Sequence, residues 1–315
     1  MPARSMIHAY RFGSWISRTM PWPARLRVAD AAADWQWRRS IEDRQRVRMN
    51  LAIMLGHPVP DRSPLVREVY RHFARYLLEF VVADRLMPPR LVLAGGDAVV
   101  QRVQACSGAI VLSAHVGNWE LGAIGLRRLG LPIHAVALPH RDAAVNGFFD
   151  AQRRRCGVNV VSVGHGAMAR CLDVLRRGEV LAVVADREFG ASGVEVSFFG
   201  RRTLMPSGPA ILSLRSGRPV IPMFLIREGP WRFRFEAETA LWPSEIEGAV
   251  DHRPYEAWSR TRPRVQALTQ RYAAAIERCV GRWPTQWLMF QQMALRGPAV
   301  PASAEGSGVP WLERV

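Results

Sequence analysis

The sequence predicts an α/β fold: a central, mostly parallel sheet flanked by helices, with a helical region before it and a short unstructured tail after it. Three observations predict this. From about residue 91, short and nearly continuous apolar runs alternate with helix-period segments, the pattern of strands buried on both faces. Residues 1–90 read as mostly helical, with an apolar stripe at three- to four-residue spacing. The chain has 315 residues, 49% of them hydrophobic, enough for one large core or two small ones. The division is therefore 1–90, helical; 91–296, the α/β core; and 297–315, the tail.

The elements follow in order. Residues 6–28 interleave Trp15, Ile16, Met20, Trp22 and Leu26 with Arg11, Arg18, Arg25 and Arg27. That mixture suits a segment lying in a membrane interface, or an amphipathic segment packed on the protein's own core. Segment 31–55 carries Trp35, Ile41, Val47, Leu51 and Leu55 among arginines, and Gly56 marks its stop. Ser63-Pro64 supplies an N-cap followed by proline at the first helical position. Leu65, Val69, Phe73, Leu77 and Phe80 then form one apolar stripe. The apolar runs at 91–93, 109–112, 133–138, 158–163, 180–184 and 220–226 are the expected strands. Helices are expected between them at 97–105, 118–129, 143–155, 166–177 and 207–216. Segment 231–239 alternates with period two and reads as an antiparallel edge strand. Pro263 opens a last helix over 264–280. The tail from Gly297 is rich in Gly, Pro, Ala and Ser and is expected to be disordered.

The charge is unusual. Lys and Arg together number 43 against 27 acids, a net +16, and every one of the 43 is arginine. A Schiff-base lysine, a phosphate-loop lysine and a lysine general base are thereby excluded. Residues 1–90 hold 16 arginines and 8 acids, so 16 − 8 = +8, half the net charge, lies in under a third of the chain. Such an excess suits a polyanion: nucleic acid, an anionic membrane surface or a phosphorylated substrate. The competing reading of an all-arginine set is nucleotide-composition bias of the genome. Four cysteines, at 106, 156, 171 and 279, show no CxxC spacing, which argues against a zinc ribbon or a disulfide framework and suits a reducing compartment. No run of 18 apolar residues occurs, so no transmembrane helix is expected, and no signal peptide is recognisable.

Chemistry concentrates at two predicted strand ends. In Ile110-Val-Leu-Ser-Ala-His115-Val-Gly-Asn-Trp-Glu120 an apolar strand ends at a histidine before Gly117-Asn118 turns into a helix. Ligands of open α/β sheets bind beyond the carboxyl ends of strands. A carboxylate at Glu120 can fix one tautomer of the ring, so that the other nitrogen accepts a proton. The competing reading makes His115 a helix cap. In Val183-Val-Ala-Asp186-Arg187-Glu188 two acids flank an arginine at the next such end; they can orient a base, bind a metal or form an ion pair. Arg153-Arg-Arg-Cys-Gly157 closes a helix, either as a solvated C-terminus or as an anion site.

Ser113-Ala-His115-Val-Gly-Asn-Trp-Glu120, Arg153 before Gly157, Ala185-Asp-Arg-Glu188, Val194-Glu-Val-Ser-Phe-Phe-Gly200, Met205-Pro-Ser-Gly-Pro-Ala210 and Pro284-Thr-Gln-Trp287 occur in an order that resembles the bacterial lipid A biosynthesis acyltransferases. The same order is similar to the phosphatidylinositol mannoside acyltransferases. Both belong to the wider lysophospholipid acyltransferase group with its His-x4-Asp/Glu signature, and the match runs from about residue 40 to 295. The resemblance implies transfer of a fatty acyl chain from acyl carrier protein or coenzyme A to a hydroxyl of a glycolipid or phospholipid. It implies a peripheral or monotopic place on the cytoplasmic face of the bacterial inner membrane. His115 would be the base, with Glu120 or Glu188 orienting it. Arg153 would hold a phosphate or stabilise developing charge, and Asn118, Asp186, Arg187, Ser207 and Gly208 would face substrate. Backbone N–H groups near Gly117–Asn118 or Ser207–Gly208 are the candidates for an oxyanion site. No metal or other cofactor and no nucleic acid is expected. The readings set against this are a basic nucleic-acid-binding protein, a metal-dependent hydrolase using His115, Asp186 and Glu188 with His134, His140 or His165, and a catalytically dead scaffold of the same fold.

Overall fold

The apolar runs assemble, in a computed structural model of the chain, into a seven-stranded sheet of order β1-β9-β8-β2-β5-β3-β4. The structure describes residues 13–15, 19–85, 92–188, 193–246, 258–293 and 295–296. The strands of this sheet are β1 (Val92–Ala94), β2 (Ala109–Ser113), β3 (Ile133–Ala137), β4 (Asn159–Ser162), β5 (Val180–Val184), β8 (Val220–Gly229) and β9 (Arg232–Ala237). Every neighbouring pair is parallel except β8 with β9. Between them run α4 (Gly96–Gln104), α5 (Trp119–Arg128), α6 (Ala143–Arg155), α7 (Ala167–Arg176) and α8 (Gly208–Ser216), within a residue or so of the predicted spans. Both faces of the sheet are therefore covered. β2 lies at its centre with Ala109–Leu112 wholly buried, as a continuous apolar run demands.

Helices α1 (Trp22–Arg39), α2 (Ile41–Leu55) and α3 (Pro64–Val81) precede the sheet. The segment read as 31–55 is two helices, because the chain turns at Ser40 (φ −87°, ψ 88°). The Ser40 hydroxyl bonds the Asp43 carboxylate at 2.7 Å in the next first turn. Gly56 ends α2 in the left-handed conformation, and the Ser63 hydroxyl accepts from Leu65 N at the start of α3, as their residue types predicted. α1 is tied to α3 by carboxylates: Asp34 takes both Arg67 and Arg71, and Asp30 takes Arg75. Beneath these pairs Ala33, Val47, Leu51, Val66, Val69 and Tyr70 form an apolar cluster that also receives Leu288.

Two readings are corrected, and a stretch assigned no element proves to be a hairpin. β9 is antiparallel to β8, but the three residues of β1 pair with its outer side, so it is not the edge. The stretch 194–205 is a hairpin, β6 (Val194–Phe198) and β7 (Arg201–Met205), extended by β10 (Leu295–Arg296) into a separate antiparallel sheet. Glu195, Ser197, Arg201 and Arg202 break up the apolar residues of its short strands, which hid them. Helix α9 (Trp258–Arg282) contains Pro263 rather than starting beyond it. A proline early in a helix removes only one intrahelical bond, so it marks the vicinity of the start, not its position. Along α9, Val265, Leu268, Tyr272 and Ile276 are buried in the core with Phe198 and Met205. No helix among the described residues is long and apolar enough to cross a membrane. Much of the segment 6–28 and the tail from Gly297 lie outside the described residues.

Candidate active site

Two adjacent parallel strands deliver the site. β2 and β5 pair in register, Ser113 opposite Val184, and Ala185 N continues the ladder onto Ser113 O at 3.0 Å. Two residues beyond that last pair stand His115 and Asp186. The His115 Nδ1 lies 2.6 Å from Asp186 Oδ1, and the backbone N–H of His115 donates to Asp186 Oδ2 at 3.0 Å. A third donor, the indole N–H of Trp287, reaches the same Oδ2 at 3.0 Å. The Asp186 side chain is 0% exposed, whereas that of His115 is 20% exposed. Burial pushes the Asp186 carboxyl up, but the imidazole charge and the three donors outweigh it and hold the group below its ordinary value. An ionised carboxylate at Nδ1 fixes the proton there and leaves the Nε2 lone pair to accept one.

The turn after His115 is built to be rigid. Gly117 has φ +62°, and a Cβ on it would stand 2.0 Å from Leu225 O, so no other residue fits. Its N–H donates to Gln286 O, and that of Asn118 donates to Leu225 O, both at 2.9 Å. These two N–H groups, considered for an oxyanion site, are therefore already engaged. The Asn118 side chain is buried as the N-cap of α5. Its Oδ1 accepts from Leu121 N at 3.0 Å and its Nδ2 donates to Glu79 Oε2 at 2.8 Å. Glu79, 0% exposed on α3, also receives both prongs of the Arg227 guanidinium from β8. Trp119 closes one side of the histidine, edge-on with ring centroids 4.8 Å apart, and stacks on Tyr76 of α3 at 4.1 Å.

The ring's partner is thus Asp186, and neither Glu120 nor Glu188. Glu120 points to α6, where both of its oxygens are held by the Arg153 guanidinium, with Nε at 3.1 and 3.2 Å; Asp150 takes a further Arg153 nitrogen at 3.0 Å. Burial opposes the Arg153 charge, but Glu120 raises its pKa above the ordinary value. Glu188 lies against Gly193, where an added Cβ would come within 2.9 Å of its Oε2. Arg187 is half-buried beside Asp186, and its burial lowers its pKa against the pull of that carboxylate. Ser207 and Gly208 begin α8. The histidines weighed as metal ligands lie apart in their bonding: His134 is 2.9 Å from Glu179, and His140 packs on Phe149. No group of three metal-ligating side chains occurs among the described residues. Sequence reasoning passed over Glu79, Arg227 and Tyr76, which lie on elements far from the motif in the chain, and gave no role to Trp119 within it. Trp287 was singled out as part of a motif, without a contact to give it a role.

A family model, the bacterial lipid A biosynthesis acyltransferase, matches residues 1–295 of the chain. A phosphatidylinositol mannoside acyltransferase of Mycobacterium tuberculosis is 27% identical over 296 residues, 90% of this chain and 86% of that protein. A protein of the same description from Mycolicibacterium smegmatis is 26% identical over 90% of this chain and 89% of its own. A lipid A biosynthesis acyltransferase of Haemophilus influenzae is 23% identical over 74% of this chain and 72% of its own.

Proposed function

The chain belongs to the bacterial lipid A biosynthesis acyltransferase family, and from that premise we propose that it transfers a fatty acyl chain from an acyl thioester to a lipid hydroxyl, with His115 as the base. The observation that carries the assignment is the 2.6 Å contact of His115 with a buried carboxylate at the ends of neighbouring parallel strands. A lipid hydroxyl is a weak nucleophile until its proton leaves as it attacks. In the proposed cycle Nε2 of His115 takes that proton while the oxygen adds to the thioester carbonyl. Asp186 stays ionised and stabilises the imidazolium. The tetrahedral intermediate collapses, the C–S bond breaks, and the imidazolium returns the proton to the departing thiolate. An ester and a free thiol result, and no net proton or electron is exchanged.

Arg153 is read here as a brace between α6 and α5. A phosphate there would compete with Glu120 and Asp150, which already hold the guanidinium. The acceptor is a glycolipid or phospholipid of the lipid A or phosphatidylinositol mannoside type, the two classes named in the relatives. The donor is carried on acyl carrier protein or coenzyme A. A peripheral or monotopic place on the cytoplasmic face of the inner membrane is supported by the outer side of the N-terminal helices. There Trp35 and Ile41 are 52% and 60% exposed among arginines, and Arg39 lies over the Trp35 ring. Arginines near an anionic surface contribute about 1 kcal/mol each.

The test supplies the purified chain with acyl coenzyme A, or acyl carrier protein loaded with the same chain, and with detergent-dispersed phosphatidylinositol mannoside or under-acylated lipid A. Mass spectrometry should find one acceptor heavier by one acyl chain, and His115→Ala should abolish that product while keeping a cooperative unfolding transition. Near-normal turnover by His115→Ala, or no acylation of either acceptor, would overturn the reading.

A further inference from the structure

Residues 286–288 grip the catalytic turn with three successive residues. Gln286 O accepts from Gly117 N at 2.9 Å, Trp287 forms an antiparallel bridge with Val116, and Leu288 N donates to His115 O at 2.7 Å. The segment is itself fixed at both ends. The Gln286 side-chain amide clasps the Arg227 backbone in both directions at 2.9 Å. Beyond Leu288, Asn50 of α2 donates to Met289 O at 3.0 Å and Gln291 O at 2.8 Å, and accepts from Met293 N at 3.2 Å. The chain leaving α9 is therefore a strap laid across the carboxyl end of β2 and fastened to the N-terminal helices.

Trp287 lies at the middle of this strap, and its indole is 3% exposed, set against Phe198 and Phe199 with ring centroids 6.2 and 6.4 Å away. A buried tryptophan fills such a space by its ring alone. Its N–H, however, ends on Oδ2 of Asp186, the carboxylate that holds the histidine. We propose that Trp287 is a positioning residue for the base, acting through Asp186: its indole N–H fixes the rotation of the carboxylate so that Oδ1 faces Nδ1 of His115. The inference rests on the proposed role of His115 and goes beyond it, because it assigns a directed function to a residue that touches no substrate. Of the two donors on Oδ2, the backbone N–H of His115 moves with the histidine. The indole comes from the strap, which is fastened to Arg227 and Asn50 as well as to the turn, so it refers the carboxylate to a frame wider than the histidine's own backbone. The charged groups beside Asp186 are His115 from the β2 end and Arg187, the next residue in the chain.

The direction of the effect follows. A carboxylate relieved of one donor is more basic and holds the imidazolium proton more firmly. Trp287→Phe should lower kcat by about ten- to a hundredfold, the cost of losing one hydrogen bond to a charged group. KM should stay near its original value, and the acidic limb of the kcat/KM profile should move to higher pH. A role in packing alone predicts a lower melting temperature with an unshifted profile, and that outcome overturns the proposal. Should Trp287→Phe fail to fold, benzothienylalanine placed at position 287 by site-specific incorporation keeps the bicyclic shape without the N–H. It must reproduce the loss in kcat and the shifted limb; unchanged kinetics with this analogue overturn the proposal equally. His115→Ala run beside these variants separates the two claims. If it remains active, the reading of the base fails; if it is inactive while both Trp287 variants match the parent, only the role of Trp287 fails.

Discussion

Asp186→Asn is the sharpest perturbation of the site, because asparagine has the shape of aspartate and reverses the hydrogen bonding of one atom. Three donors converge on the carboxylate: Nδ1–H of His115 on Oδ1, and the His115 N–H and Trp287 N–H on Oδ2. If the amide places its NH2 toward the ring, it donates to Nδ1, the ring proton moves to Nε2, and the base is lost. If it places its oxygen toward the ring, the NH2 faces two N–H groups with no acceptor between them, in a site where the side chain is 0% exposed. The imidazolium loses its counter-charge in either case. At a charge separation of about 4 Å and an effective dielectric constant of about 20, that interaction is worth roughly 4 kcal/mol. Carried into the transition state it corresponds to about a thousandfold in kcat. Thiol release from the acyl thioester in the presence of acceptor measures the rate. Nitrogen-15 shifts of labelled histidines report the tautomer of His115 without any substrate. A folded Asp186→Asn enzyme within tenfold of the parent rate would refute the assignment.

Two further substitutions test the scaffold. Gly117→Ala puts a methyl group 2.0 Å from Leu225 O at a φ of +62°, so the turn must move. The expected cost is about 3 kcal/mol or more in chemical denaturation, with loss of transfer activity, and a stability change under about 0.5 kcal/mol contradicts it. Asp34→Asn removes the carboxylate that Arg67 and Arg71 share, and those side-chain bonds hold its pKa below the ordinary value. A carboxylate lowered on folding stabilises the native state fully above its unfolded pKa, near 3.9, and loses that contribution as pH falls toward its native pKa. The stability gap between parent and Asp34→Asn should be about 1–2 kcal/mol at neutral pH and should narrow below about pH 4. Urea titrations that show the same gap at about pH 7 and pH 3 speak against the pairing.

Most of the sheet was legible because its strands are buried on both faces and stand out as apolar runs. Five of the six connections between strands of the seven-stranded sheet carry helix signals that fall within a residue or so of α4 to α8. The hairpin β6–β7 was not legible as strands, since Glu195, Ser197, Arg201 and Arg202 interrupt its apolar residues. His115 was legible for the reason that made β2 so: a polar, ionisable residue directly after an apolar strand.

The choice among three carboxylates was decided by register, which spacing along one chain does not contain. With Ser113 opposite Val184, residues 115 and 186 lie two beyond the same rung, and alternate residues of neighbouring strands share a face. Asp186 is thereby carried to the ring. Glu188 is two residues too far along, and it lies against Gly193 instead. Glu120 belongs to helix α5, and Arg153 of α6 is the charge it meets. A shift of one residue between β2 and β5 would put Ala185 or Arg187 in place of Asp186 and leave the histidine without its carboxylate. What the motif encodes is therefore a pair of strand ends held in step. The glycine turn, the Glu79–Arg227 pair and the strap at 286–288 all bear on the first of them, so a defect in any one should reach the chemistry through the position of His115 as well as lowering the stability of the fold.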